Sequence, residues 1–123
     1  MTLNEMRTLL ESRGIQLTKS LGQNFLHDGN QLRRIVSAAD IVPTDRILEV
    51  GPGLGPLTEL LVARAASVLA IEKDARLVSV LRENFSGALS GEGPGTLELL
   101  EADAMRWVEA NSRDWSGWKL VAN

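Results

Sequence analysis

The sequence predicts a Rossmann-like α/β fold, a parallel sheet with flanking helices, and three observations predict it. Ile47 to Gly55 reads as an apolar strand carrying Glu49 near its end, then glycines at 51, 53 and 55, then a helical pattern from Pro56. Short apolar runs of strand length alternate with segments whose apolar residues recur every three or four positions, which gives parallel strands joined by right-handed crossovers. Finally, Glu49, Glu72 and Asp103 stand at or just beyond the ends of three successive strands, so the fold should deliver three acids to one edge.

Taken in order, Leu3, Met6, Leu9 and Leu10 recur at helical spacing, with Arg13 and Gly14 as the helix end. Gln16 to Gly29 fits neither period. Leu32, Ile35, Val36 and Ala39 mark a second amphipathic helix, closed by Pro43 before a strand over Arg46 to Val50. Leu57, Leu60, Leu61 and Ala65 build a helix from Pro56 to about Ala66. Val68 to Glu72 is an apolar run of strand length, as in parallel strands buried on both faces. A helix follows from Ala75 to about Phe85, with Leu77, Val78 and Leu81 inward. Ser86 to Thr96 holds four glycines and Pro94 and reads as a surface loop. Leu97 to Leu100 is the third strand, Met105 to about Asn111 a short helix, and Trp118 to Ala122 a fourth strand. Asn123 then lies at a strand tip, and the last strand would leave an unpaired edge. The expectation is roughly the first half of a catalytic domain, truncated after about the fourth strand.

Composition narrows the functional classes. The 123 residues include no cysteine, which excludes disulfides and thiolate metal sites, and one histidine, His27, which argues against a zinc centre or a Ser-His-Asp triad. No apolar run approaches the ~20 residues needed to span a bilayer, and the N-terminus lacks the apolar core of a signal peptide. A cytoplasmic protein without membrane or metal partners is expected. Net charge is −3. Residues 1–34 hold five basic against three acidic side chains, and residues 35–123 eight against thirteen. A polyanion contact therefore favours the N-terminal arm, although a merely solvated arm fits the charge equally. Arg33 and Arg34 could touch phosphate or only solvate a helix face. Trp107, Trp115 and Trp118 could stack on RNA bases, with packing the better-supported role.

The glycine spacing bears on the ligand. A dinucleotide fingerprint reads G-x-G-x-x-G, with pyrophosphate on the helix N-terminus; this turn reads G-x-G-x-G, with Glu49 two residues ahead. A carboxylate there would repel pyrophosphate and suits a cationic ligand such as S-adenosylmethionine. A glycine turn with no ligand and a dinucleotide site are the competing readings. Glu72, 21 positions after Gly51, stands where such sites place an acid for ribose hydroxyls, and Asp103 could accept from the amine of an adenine. Glu101 and Asp74 read as solvated neighbours.

Several stretches carry a family resemblance. Lys19-Ser20-Leu21-Gly22-Gln23-Asn24-Phe25-Leu26 and Glu49-Val50-Gly51-Pro52-Gly53-Leu54-Gly55-Pro56-Leu57-Thr58 are followed by Ile71-Glu72-Lys73-Asp74 and Asp103-Ala104. Together they resemble the rRNA adenine N6,N6-dimethyltransferases, over nearly the whole chain from Lys19. The glycine turn is more like the branch acting on the small subunit than the large-subunit macrolide-resistance branch. The resemblance implies a Rossmann-like class I methyltransferase with S-adenosylmethionine as cofactor and small-subunit rRNA, or a pre-ribosomal particle, as partner. It implies an arm of residues 1–45 closing over the cofactor and the first half of the cofactor-binding domain in 46–123. Asn24 and Leu26 would close from the arm, Gly51 would contact the methionine end, Glu72 the ribose and Asp103 the adenine. Asn123 matches the first residue of the family's Asn-Leu-Pro-Tyr motif. In that motif the Asn side-chain carbonyl and a backbone carbonyl near the Pro would accept the amine hydrogens of adenine and localise its lone pair. An aromatic ring would stack on the unstacked base. With only Asn123 of the four, catalysis by residues 1–123 alone is not expected. The alternatives are an RNA-associated binding module without transfer activity and the large-subunit rRNA methyltransferases.

Overall fold

Strands β1 (Arg46–Val50) and β2 (Ser67–Glu72) form the centre of a four-stranded, wholly parallel sheet, flanked by β3 (Thr96–Glu101) and β4 (Trp118–Ala122) in the order β3-β2-β1-β4. The computed structural model describes residues 3–14 and 29–122. Strand composition follows position in the sheet. Central β2 is apolar from Val68 to Ile71 and covered on both faces, whereas edge strand β3 alternates, with Leu97 and Leu99 inward and Glu98 in solvent.

Helices α1 (Leu3–Ser12) and α2 (Gly29–Ala39) precede β1. Helix α3 (Pro56–Arg64) connects β1 to β2, α4 (Ala75–Asn84) and the single turn α5 (Ser86–Leu89) connect β2 to β3, and α6 (Ala104–Ala110) connects β3 to β4. The first two crossovers step the sheet in one direction, and the third returns past β1 to its far side. A crossover of fixed hand that reverses direction must run over the opposite face of the sheet. The packing agrees. Ile47, Val68, Ala70, Leu97, Leu99 and Val121 pack under Leu32 and Val36 of α2, Leu57 and Leu61 of α3, and Val78 and Leu81 of α4. On the other face Leu48, Leu69 and Ile71 meet Trp107 and Val108 of α6 with Trp115 and Trp118.

The tryptophans thus cover this face of the core. Trp115 makes edge-on contacts with Trp107 and Trp118, with ring centres 6.3 and 5.1 Å away. The Arg113 guanidinium lies within 6 Å of all three ring centres, at 5.3, 4.9 and 5.9 Å. The three rings pack on this face as partly buried side chains.

Helix α1 adds a further layer: Leu10 is buried against Leu54 of the glycine turn and Leu77 and Val80 of α4, and Arg13 pairs with Glu83. At the other end of the sheet the Lys119 ammonium donates to the Ala39 and Asp40 carbonyls, 2.9 and 2.6 Å away, and to Asp45 at 2.8 Å. It neutralises the carbonyl end of α2 and ties it to β4. The same contact holds the Asp45 carboxyl below its usual range.

One expected loop is partly helical. Residues 86–89 form α5, because Phe85, Ala88 and Leu89 continue the packing of α4 onto the core; the exposed turn is confined to residues 90–94. The irregular reading of Gln16 to Gly29 falls almost wholly outside the described residues. Among those described, no helix is long and apolar enough to cross a membrane.

Candidate functional site

The sheet changes direction at β1, which has β2 on one side and β4 on the other. In open parallel sheets ligands bind beyond the carboxyl ends of the strands near such a point. A cavity of about 240 Å3 opens there. Val50 and Gly51 from the end of β1, Ile71, Glu72 and Lys73 from β2, and Ala102 to Met105 after β3 line it.

Backbone geometry makes the first wall. Gly51, Gly53 and Gly55 all have positive φ, at 68°, 64° and 92°, a repeated left-handed conformation that glycine adopts without steric cost. A Cβ on Gly51 would meet no atom within 4 Å, so its backbone is open on the side a ligand would use. A Cβ on Gly55 would run into the ring of Phe85, with Cζ at 2.8 Å. The first glycine leaves room in the cavity and the third lets α3 approach α4.

Glu72 locks this turn to the neighbouring strand. Its Oε1 accepts from the Gly53 N–H at 3.1 Å and its Oε2 from the Asp74 N–H at 3.0 Å. The carboxyl is only 6% exposed yet lines the cavity. Asp103 is exposed at the opposite rim, where its Oδ1 caps α6 through the Arg106 N–H at 3.1 Å. Ile71, Ala102, Ala104 and Met105 supply an apolar surface between the two acids. Gly51, Glu72 and Asp103 therefore line one cavity.

Glu49 does not join them. Its side chain leaves β1 on the face of Ile47, opposite Val50, and is 1% exposed beneath the first turn of α3. There the Thr58 hydroxyl donates to its Oε1 at 2.5 Å. Burial pushes its pKa up to about 7, the Thr58 bond opposes that rise, and the nearby Glu72 charge adds to it. The expectation of three acids on one ligand edge is corrected to two, with the third behind the turn. An ionised Glu49 repelling pyrophosphate is correspondingly weakened near neutral pH. Asp74, expected to be merely solvated, instead caps α4 through the Arg76 N–H and pairs with the Arg76 guanidinium, which lowers its pKa. Glu101 is exposed.

Sequence reading missed Thr58, whose signal is a lone hydroxyl on the buried, otherwise apolar face of α3. It also missed Val50, Ile71 and Met105 as cavity walls. Asn24, Leu26 and Asn123 lie outside the described residues. Among the described residues, no three His, Cys, Asp or Glu side chains gather to hold a metal ion.

The sequence profile of the ribosomal RNA adenine dimethylase family matches residues 14–116, a span that includes the glycine turn, Glu72 and Asp103. This chain belongs to the ribosomal RNA adenine dimethylase family. A curated relative from Corynebacterium glutamicum, ribosomal RNA small subunit methyltransferase A, is 56% identical over 122 residues, which are 97% of this chain and 40% of that protein. Among solved structures, a dimethyladenosine transferase from Plasmodium falciparum superposes with a TM-score of 0.63 at 30% identity, over 80% of this chain and 32% of its own. The 23S rRNA methyltransferase ErmE superposes at 0.58 with 36% identity, over 72% of this chain and 33% of its own. As a dimethylase-family sheet, the fold is Rossmann-like, in agreement with the strand order above. The chain spans about 40% of the length of the curated relatives it matches.

Proposed function

We propose that this chain forms the S-adenosylmethionine-binding part of a cytoplasmic enzyme that dimethylates adenine N6 in small-subunit rRNA. The observation that carries the reading is the meeting of Gly51, Glu72 and Asp103 around one cavity at the carboxyl edge of the sheet. The residues present suit such a nucleoside. Each Glu72 oxygen accepts one backbone N–H and keeps a second lone pair for a ribose hydroxyl. Ile71 and Met105 offer apolar walls for a flat ring, and Asp103 an acceptor for its amine. The bare Gly51 backbone admits the amino-acid end. When bound, the cofactor supplies a methyl group on a sulfonium.

A cavity of about 240 Å3 is below the ~300–1,000 Å3 of whole-ligand pockets. A cofactor of that size needs further cover, so an arm, residues 1–45, closes over it with Asn24 and Leu26, and residues 46–123 hold it. The docking of Leu10 on Leu54 supports an arm that reaches the glycine turn. Asn123 is assigned to the cofactor and to the target amine.

The 36% identity to a 23S rRNA methyltransferase favours large-subunit rRNA as the second reading. Labelled S-adenosylmethionine with small- or large-subunit RNA tests the choice, in a protein carrying this chain at its relatives' full length. Label in N6,N6-dimethyladenosine of the small-subunit RNA is expected. Label only in large-subunit RNA would move the assignment to the other branch, and label in neither would leave the binding module.

A further inference from the structure

Glu49 is the one buried acid of the site region that the reading above does not use. Its carboxyl lies behind the turn, with the fully buried Thr58 as hydrogen-bond partner and Glu72 on the adjacent strand and the same face of the sheet. Among the described residues no cation pairs with it. Opposite it in β4 stands Val121, and the lysine of that strand, Lys119, is engaged with Asp45 at the far end. From β2 come Ala70 in register and Glu72 beyond, whereas Lys73 is exposed. From α3 comes Thr58, and Glu59 and Arg64 of that helix are exposed.

Two carboxylates in one desolvated corner without a counter-cation cannot both stay ionised at little cost. Glu72 accepts from two backbone N–H groups, whereas Glu49 accepts from one hydroxyl. The geometry points to Glu49 as a positioning residue that holds a proton while the cavity is free and releases it to solvent when a cationic nucleoside seats beyond the turn. The O–H bond of the Glu49 carboxyl breaks, the proton passes to water, and the ligand cation supplies the missing counter-charge for both acids. Glu49 acts through the turn and through Glu72, without touching the ligand. The inference rests on the cofactor assignment proposed above.

With Glu49 titrating near pH 7 in the free protein, the sign follows. A ligand that favours the ionised form binds more tightly as pH rises, by about tenfold between pH 6 and pH 8, and is insensitive above that range. Calorimetry of this chain with S-adenosylmethionine and with the uncharged thioether S-adenosylhomocysteine, in buffers of different ionisation enthalpy, reads the released proton directly. Close to one proton should leave at pH 6 with the sulfonium ligand and fewer with the thioether. Glu49→Gln should abolish the difference. Thr58→Val, by removing the bond that favours the anion, should move the midpoint upward. Proton release unchanged in Glu49→Gln, or none in the parent chain, overturns the inference while leaving the cofactor assignment intact. Failure of both nucleosides to bind at any pH overturns both.

Discussion

The glycine turn makes two opposed demands that alanine separates. At Gly55 an alanine must adopt φ near 92°, and its methyl group must enter the space held by the Phe85 ring and, at 3.0 Å, Leu81 Cδ2. The left-handed conformation costs a non-glycine residue about 1–2 kcal/mol. Overpacking against a half-buried ring wedged on the core adds about 1–3 kcal/mol. Gly55→Ala should therefore lose about 2–5 kcal/mol, a large share of the ~5–15 kcal/mol that holds a domain together. At Gly51 the backbone strain is similar, but nothing stands within 4 Å of the added methyl. Its stability loss should stay near ~1 kcal/mol, with donor affinity falling at least tenfold as the methyl enters the cavity. Urea titration followed by tryptophan fluorescence, which reports the cluster on the far face of the sheet, measures stability; calorimetry measures affinity. A Gly55→Ala variant within ~0.5 kcal/mol of the parent, or a Gly51→Ala variant that is the less stable of the two, would refute this division of roles.

Two further outcomes follow from the same contacts. The buried Glu49 carboxyl binds protons more tightly folded than unfolded, so its contribution is fully present below its ordinary pKa of 4.5 and lost as pH rises to about 7. The parent should lose about 3 kcal/mol between pH 4.5 and pH 8, and Glu49→Gln should lose that dependence; parallel urea profiles for the two proteins would count against it. Leu10→Ala empties the contact between α1 and the glycine turn, for a loss of about 2–4 kcal/mol by denaturant titration; no change would mean that α1 does not dock there.

Much of the sheet was readable because central parallel strands need apolar residues on both faces. β1 and β4 fall at their expected bounds, β2 is longer by one residue at its start and β3 by one residue at each end. Side-chain direction was harder. Glu49 lies two residues from Ile47 and so shares its face, which in a doubly covered strand means the interior. Reading it as a ligand acid ignored that alternation, and Thr58 on the buried side of α3 was the available correction. The turn at Ser86–Leu89 was hidden because its glycines suggest a loop, although Phe85, Ala88 and Leu89 carry helical spacing. Asp74 looked solvated because an N-cap depends on where the helix starts.

In the function proposed above, Glu72 holds both the turn and the ligand. Glu72→Gln keeps the size of the side chain and removes its charge. S-Adenosylmethionine affinity should fall at least tenfold, and because the Gln amide can accept from only one of the Gly53 and Asp74 N–H groups the melting temperature should fall by several degrees with the protein still folded. Undiminished affinity in a folded Glu72→Gln protein would mean that Glu72 does not hold the ligand.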